Sequence, residues 1–246
     1  MLIVATADIH SPLYYDIFVR AINNLQKQPD LFLIAGDLID RNITKDTGLL
    51  NELRKISNAL FGKINCPIFA CFGNNEFEQD WDEIKKQNQE IKFLQDESIV
   101  VNIGDKKVGI VGSKGSLDKP TWWQKNNIPN IAETYKERVG KINELLGEMK
   151  ADYKILLIHY PPTHEILSGE NPSGYGELAC KDLEEVVINN KVDLVLTGHV
   201  HRGKKEVWLD ETPVLNVGLS LNNGLVIVDT DKLKPGLERF FLELYY

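Results

Sequence analysis

Asp193-Leu194-Val195-Leu196-Thr197-Gly198-His199-Val200-His201 is the stretch on which the reading of the chain turns. The apolar run 193–197 predicts a short buried strand. Gly198 lets the backbone turn sharply at its end. Two histidines follow, separated by one residue. In an extended segment residues i and i+2 point to the same side, so the spacing predicts two imidazoles facing one point. Imidazole is the commonest protein ligand of transition metals. With five His in the chain, a pair this close carries weight. Alone it is as readily two loop histidines as a metal site, and the rest of the chain has to decide.

The same arrangement recurs upstream. Leu2–Ala7 predicts an apolar strand ending at Asp8-Ile9-His10. Leu31–Ala35 predicts a second, closed by Gly36-Asp37-Leu38-Ile39-Asp40-Arg41. Pro67–Phe72 predicts a third, closed by Gly73-Asn74-Asn75-Glu76, and Lys154–Ile158 runs into His159. Helical spacing predicts helices over Leu13–Gln28, over Thr44–Phe61 with Thr44 as N-cap, over part of Gln79–Glu90, over Ile131–Lys150 and over Leu178–Asn190. Gly104-Asp105 reads as a hairpin turn between Ser98–Ile103 and Lys106–Gly112. Lys114–Asn130, broken by Pro120 and Pro129 around Trp122-Trp123, is expected to be irregular, as is the glycine-rich Ser168–Glu177. Four more strands are expected at Gly203–Leu209, Pro213–Val217, Gly224–Asp229 and Leu237–Leu244.

Strand–helix alternation followed by mostly antiparallel strands predicts an α/β fold of two stacked mixed sheets with helices outside. Ligands of such sheets bind at the carboxyl ends of strands. Five predicted ends carry metal-ligand types: Asp8/His10, Asp37, Asn74, His159 and His199/His201. Four of the five His lie there. His164 reads as a loop residue, and Cys180 as a core residue of a helix.

Composition bounds the function. A chain of 246 residues, 43% hydrophobic and 26% charged, can bury a proper core. It is expected to form one domain over residues 1–246, with 114–130 as an irregular insertion near the site. The net charge of −8 argues against long nucleic acid as partner, but a metal can still supply local positive charge for a phosphate. No apolar run approaches the ~20 residues that span a bilayer. The first strand, lacking a basic flank, does not read as a signal peptide. Cys66, Cys71 and Cys180 have no zinc spacing and suit a reducing cytoplasm.

Asp8-x-His10, Gly36-Asp37-x-x-Asp40-Arg41, Gly73-Asn74, His159 and Gly198-His199-x-His201 resemble, in order, the motifs of the calcineurin-like metallophosphoesterases. The resemblance spans residues 8–201. It implies a four-layer αββα sandwich and two divalent metals. Carried over position by position, Asp8, His10, Asp37 and His201 hold the first metal. Asp37, Asn74, His159 and His199 hold the second, with Asp37 as bridge. That mixed His and carboxylate set suits Mn, Fe, Zn, Co or Ni. Two such ions can hold a hydroxide and clamp the oxygens of an in-line displacement. The expected activity is hydrolysis of a small phosphoester, nucleotides among the candidates, and of a diester before a monoester. The alternatives are a monoesterase or protein phosphatase, or a scaffold that has kept the fold without catalysis.

The chain departs from the family at Asn75, where many members have a His beside the leaving-group oxygen. Asn cannot act as a general acid, though it can hydrogen-bond a phosphoryl oxygen. Asn74, Asn75 and Asp40 are the expected catalytic neighbours of the metals, Asp40 having either the family's orienting role or that of a helix N-terminal acid. Arg41 is expected to contact phosphate or to form a surface salt bridge. Trp122 and Trp123 are expected to stack on a base, to close a subunit contact, or to pin their loop.

Overall fold

In chain order the elements are β1 (Leu2–Thr6), α1 (Tyr15–Asn23), β2 (Leu31–Ala35), α2 (Arg41–Leu60), β3 (Ile68–Cys71), α3 (Trp81–Gln87), β4 (Lys92–Phe93), β5 (Glu97–Ile103), β6 (Lys106–Ser113), α4 (Trp122–Asn127) and α5 (Ile131–Glu148). They continue with β7 (Tyr153–Ile158), α6 (Asp182–Asn189), β8 (Leu194–Thr197), β9 (Glu206–Leu209), β10 (Thr212–Asn216), α7 (Leu219–Asn222) and β11 (Val226–Asp229). This computed structural model describes residues 1–233, the side chains of 45–47 excepted; the strand expected at Leu237–Leu244 lies outside the described residues.

Among the described residues the strands form two sheets, ordered β11-β1-β2-β3-β4 and β5-β6-β7-β8-β10-β9. In the first, β1 to β4 are parallel and β11 joins β1 antiparallel. In the second, β6, β7, β8 and β10 are parallel, flanked by antiparallel β5 and β9. Strands such as β2 are apolar at every position because both their faces are covered. Alternation sorts those faces. Ile3, Ala5, Leu31 and Leu33 meet Ile110, Leu157 and Leu196 of the other sheet in one core. Val4, Phe32 and Ile34 turn the other way, onto Phe18 of α1 and Leu53 and Ile56 of α2. Val111, Leu156 and Val195 pack on Ile142 and Leu146 of α5 and Leu183 of α6. Three cores separate four layers, so the architecture is the αββα sandwich.

Several boundaries differ from expectation. Helix α2 begins at Arg41, ahead of the expected cap Thr44, because the Asp40 carboxylate accepts hydrogen bonds from Asn42 N (2.9 Å) and Ile43 N (3.2 Å). An N-cap acid satisfies amide groups that the first helical turn leaves free. The segment 114–130 is not wholly irregular. Thr121 and Gln124 form a capping box that starts α4, and its two prolines flank the helix rather than break it. Residues 172–177 form a 3₁₀ turn. After the β9–β10 hairpin, α7 intervenes and β11 crosses to the other sheet.

Candidate metal centre

Because β1, β2 and β3 are parallel neighbours, their carboxyl ends share one edge of their sheet. Parallel β7 and β8 end likewise in the other. The two edges are tied together by Ala7 N donating to Val217 O (2.9 Å) and Leu219 N donating to Ala7 O (2.8 Å). All five ligand-bearing strand ends therefore converge. The backbone there is not extended: φ is +53° at Asp8, +42° at His10, +50° at Asp37 and +71° at His199. Non-glycine residues rarely adopt this left-handed region. The fold holds it by close packing, leaving no room for side chains on the adjacent glycines. A Cβ on Gly73 would lie 2.1 Å from Asp37 Oδ1, and one on Gly198 2.7 Å from Asp8 Oδ2.

Asp8, Asp37 and His159 are buried and His10 nearly so, while His201 is partly exposed. Two groups of potential ligand atoms lie within 4.8 Å of one another: Asp8, His10 and His201, and Asp8, Asp37 and His159. The two oxygens of Asp37 face different imidazoles. Oδ2 is 3.7 Å from His10 Nε2, and Oδ1 is 3.6 Å from His159 Nε2. Asp8 Oδ1 is 3.7 Å from His10 Nε2 and 3.9 Å from His201 Nε2. These gaps exceed a hydrogen bond. They are a few tenths of an ångström wider than the about 3.0–3.4 Å between two ligands of one ion bound at ~2.1 Å.

The donor atoms fit a cation. His10 Nε2 and His199 Nε2 are buried and have no hydrogen-bond partner. His159 Nδ1 lies 2.9 Å from the Ala35 carbonyl, so as a neutral ring it donates there. Its Nε2 then presents a lone pair 3.0 Å from Asn74 Oδ1, another acceptor. A cation between the two acceptors would satisfy both. About 3.0 Å is also the separation of two ligands at right angles on one ion. Burial lowers the His159, His199 and His201 rings below the ordinary imidazole value, His199 to about 3. Burial thus favours in all three the neutral ring, the form that binds metal. Burial and the neighbouring Asp37 push the Asp8 carboxyl well up. Asp37 is also buried, but the His159 and His10 imidazoles and the Asn75 N–H outweigh burial and keep it low.

The paired histidines of residues 199–201 do not face one point. The His199 ring lies 5.1 Å from that of His159, whereas His201 lies 5.3 Å from His10. The left-handed backbone at His199 breaks the extended geometry assumed from spacing: His201 joins the group of Asp8 and His10, and the His199 ring lies beside His159.

Asn75 is turned toward Asp37. Its backbone N donates to Oδ1 (2.8 Å) and its Nδ2 to Oδ2 (2.6 Å), while its Oδ1 accepts from Arg41 N (3.3 Å). Asp40 spends its carboxylate on the start of α2. Arg41 pairs with Asp80 at 2.8 Å and lies 3.7 Å over the Phe77 ring, which is 5.9 Å from Trp123. Arg41, Phe77 and Trp123 wall a cavity of about 680 Å³ that also reaches Asn74, Asn75 and His199. Trp122 is 76% exposed and lies outside it. His164 sits in a loop, 2.7 Å from Asp118, and Cys180 is buried just ahead of α6.

Two positioning residues escape a reading by motif. Glu76 is fully buried and accepts from the N–H groups of Gly73 (2.7 Å), Leu38 (2.8 Å), Asp37 (3.1 Å) and Ile39 (3.3 Å). It clamps two ligand loops together, and burial with the nearby Asp37 charge pushes its carboxyl up to about 7. Asn216 at the end of β10 donates to Val200 O (2.7 Å) and accepts from Gly218 N (3.0 Å), bracing the His199–His201 turn. The only signal for Glu76 is its place directly after Asn74-Asn75. Nothing in sequence marks Asn216.

Fold and side chains together define an α/β protein that gathers candidate metal ligands between two sheet edges. The chain belongs to the calcineurin-like phosphoesterase family, whose description it matches over residues 1–203, and a pair of divalent metals is that family's cofactor. It is 23% identical over 203 residues to a probable glycerophosphodiester phosphodiesterase GpdQ of Arcobacter nitrofigilis, covering 82% of this chain and 66% of that one. An uncharacterized metallophosphoesterase of Helicobacter pylori is 26% identical over 193 residues, 78% of this chain and 40% of that protein. The chain thus spans about two thirds or less of these relatives. A phosphopantetheinyl hydrolase (PptH) from Mycobacterium tuberculosis superposes with a TM-score of 0.67 at 14% identity, covering 95% of this chain and 98% of that one. Among the described residues no helix is long and apolar enough to cross a membrane.

Proposed function

We propose that the protein is a dinuclear metal-dependent phosphohydrolase that cleaves a small phosphodiester. The observation that carries this reading is Asp37, whose two oxygens face imidazoles of different groups. With Asp8, His10 and His201 it would hold one ion, and with Asn74, His159 and His199 another. Mn, Fe, Zn, Co and Ni all suit that donor set. When bound, such a pair polarises the phosphoryl group and makes water nucleophilic at neutral pH.

The chain's own residues do the rest. Asp8 and Asp37 offset two of the four positive charges, leaving a site that attracts a phosphate despite the acidic surface. Asn75 and Glu76 hold Asp37 and its loop. Asn74 is a neutral ligand whose amide N–H can be offered to a phosphoryl oxygen. No imidazole stands at position 75 to protonate the leaving oxygen, which favours esters with good leaving groups, nucleotide diesters among them. The Arg41–Phe77–Trp123 wall suits a planar group. The printed name of the Arcobacter relative, a probable diesterase, supports the diester reading. Every expected ligand position holds a metal-binding side chain, which speaks against a non-catalytic scaffold. We further read the chain as one domain acting in the cytoplasm.

Metal analysis of the purified protein, with assay of bis-p-nitrophenyl phosphate and p-nitrophenyl phosphate, tests the reading. Two ions per chain and faster cleavage of the diester are expected. A metal-free protein inert in added Mn or Zn refutes it.

A further inference from the structure

The cavity beside the metal centre holds one cation whose charge has no ion pair. Lys114 follows β6, its backbone N held by Gln95 Oε1 at 3.0 Å, and the residue lines the cavity together with Asn74 and His199. Its Nζ lies 5.4 Å from the centre of the Trp81 ring. Among the described residues no carboxylate stands at ion-pair distance from it. The two other cations in the wall are paired: Arg41 with Asp80 at 2.8 Å, and Arg138 with Asp96 at 3.0 Å and Glu78 at 3.8 Å.

Burial lowers the Lys114 ammonium below the usual lysine range, and the nearby Arg138 charge lowers it further. A largely buried ammonium without a counter-ion is costly, and an arriving anion relieves the cost. The carboxylates that act on it from a distance are Glu76, Glu78 and Asp37. Of these, Glu76 is committed to four backbone N–H groups and Asp37 to the imidazoles. The cavity is about 680 Å³, room for a ligand well beyond one phosphate.

We propose that Lys114 receives a second anionic group, a carboxylate or a phosphate, carried by the alcohol part of the substrate whose scissile phosphate sits at the metal centre. The proposal rests on the diesterase reading above and narrows it to diesters with a charged alcohol. Lys114 acts here as a specificity residue. Arg41, Phe77 and Trp123 on the same wall contact the part of the alcohol between the two anions.

The test uses three p-nitrophenyl phosphodiesters of matched length, whose second alcohol ends in a methyl, a carboxylate or a phosphate. The metal-loaded wild type is expected to favour a charged ester over the methyl ester by at least about tenfold in kcat/KM, with the gain in KM. In Lys114→Met that preference falls to near unity, and in Lys114→Arg part of it returns. Whichever charged ester gains more identifies the anion. Equal preference in the wild type and Lys114→Met overturns the proposal. So does a loss confined to kcat and equal for all three esters, because the ammonium would then serve the reacting phosphate. Calorimetric binding of the corresponding methylphosphonate esters reads the same preference without turnover. Failure to hydrolyse all three esters therefore counts against the diesterase reading, whereas equal binding of charged and methyl phosphonates counts against Lys114.

Discussion

Replacing Asp37 by Asn should separate a bridging carboxylate from an ordinary ligand. An ion at a hundredfold its Kd stabilises the folded state by about 2.7 kcal/mol, so two contribute about 5.4 kcal/mol. For a chain of this length that raises Tm by roughly 11–22 °C over the protein in chelator. Asp37 faces His10 through one oxygen and His159 through the other, so Asp37→Asn weakens both sites. A hundredfold weakening of each leaves about 0.8 kcal/mol, a rise of roughly 2–3 °C. His201 touches only the Asp8 group; His201→Ala should keep about 3.1 kcal/mol, a rise of roughly 6–12 °C. In chelator the Asn variant gives up an acceptor for Asn75 but relieves repulsion with Asp8 and Glu76. Its Tm there should stay within a few degrees of wild type. Differential scanning fluorimetry with and without Mn, beside metal counts, makes the measurement. If Asp37→Asn and His201→Ala cut the metal-induced rise equally, the bridge does not exist.

Other outcomes follow from the same geometry. Asn75→His removes the amide on Asp37 but supplies an imidazole; turnover of alkyl phosphodiesters should rise relative to p-nitrophenyl diesters, by up to about 10²-fold, with a pH limb near ~6.5. Equal change for both ester classes in matched kcat/KM assays would falsify the missing-acid account. Trp123→Ala should raise KM for nucleotide diesters several-fold with kcat little changed, and Trp122→Ala should do less, because only Trp123 lines the cavity; the reverse order in steady-state kinetics overturns the aromatic wall. In chelator, burial holds the His199 ring neutral with its value near 3, whereas the unfolded chain protonates it below ~6.5. The folded state then binds fewer protons, so this group's contribution to stability is full above ~6.5 and is lost as pH falls toward 3. The advantage of wild type over His199→Gln in urea midpoint should therefore shrink between pH 7.5 and pH 5; a constant gap refutes it.

The candidate ligand positions were legible because each depends on local chemistry: an apolar strand ending in a His, Asp or Asn, in most cases with a small residue at the turn. A strand buried on both faces has to be apolar throughout, and its ligand-bearing end has to be polar, so the boundary shows in the sequence. Order along the chain also disclosed the family and the sandwich. Boundaries were less legible where two signals compete. Asp40 and Thr44 are both good caps, and the hydrogen bonds of Asp40 decide where α2 starts.

Pairing through space was left to the tertiary structure. Spacing alone put His199 and His201 on one target, whereas the family resemblance assigned them to different metals; the left-handed turn at His199 sets its ring beside His159 and leaves His201 beside His10. Asn75 was expected as a catalytic neighbour of the metals in place of the family's His, and its amide lies on Asp37, 38 residues away in sequence. Glu76 is one more acid in an acidic chain until the fold brings four N–H groups from two loops to its carboxylate. Lys114 is an ordinary lysine until packing removes much of its water and, among the described residues, sets no carboxylate at ion-pair distance. A residue's own type and neighbours determine what it can bind; which partners it meets, and how much water remains around it, depend on segments far away in sequence, and only the folded arrangement of the two sheets decides that.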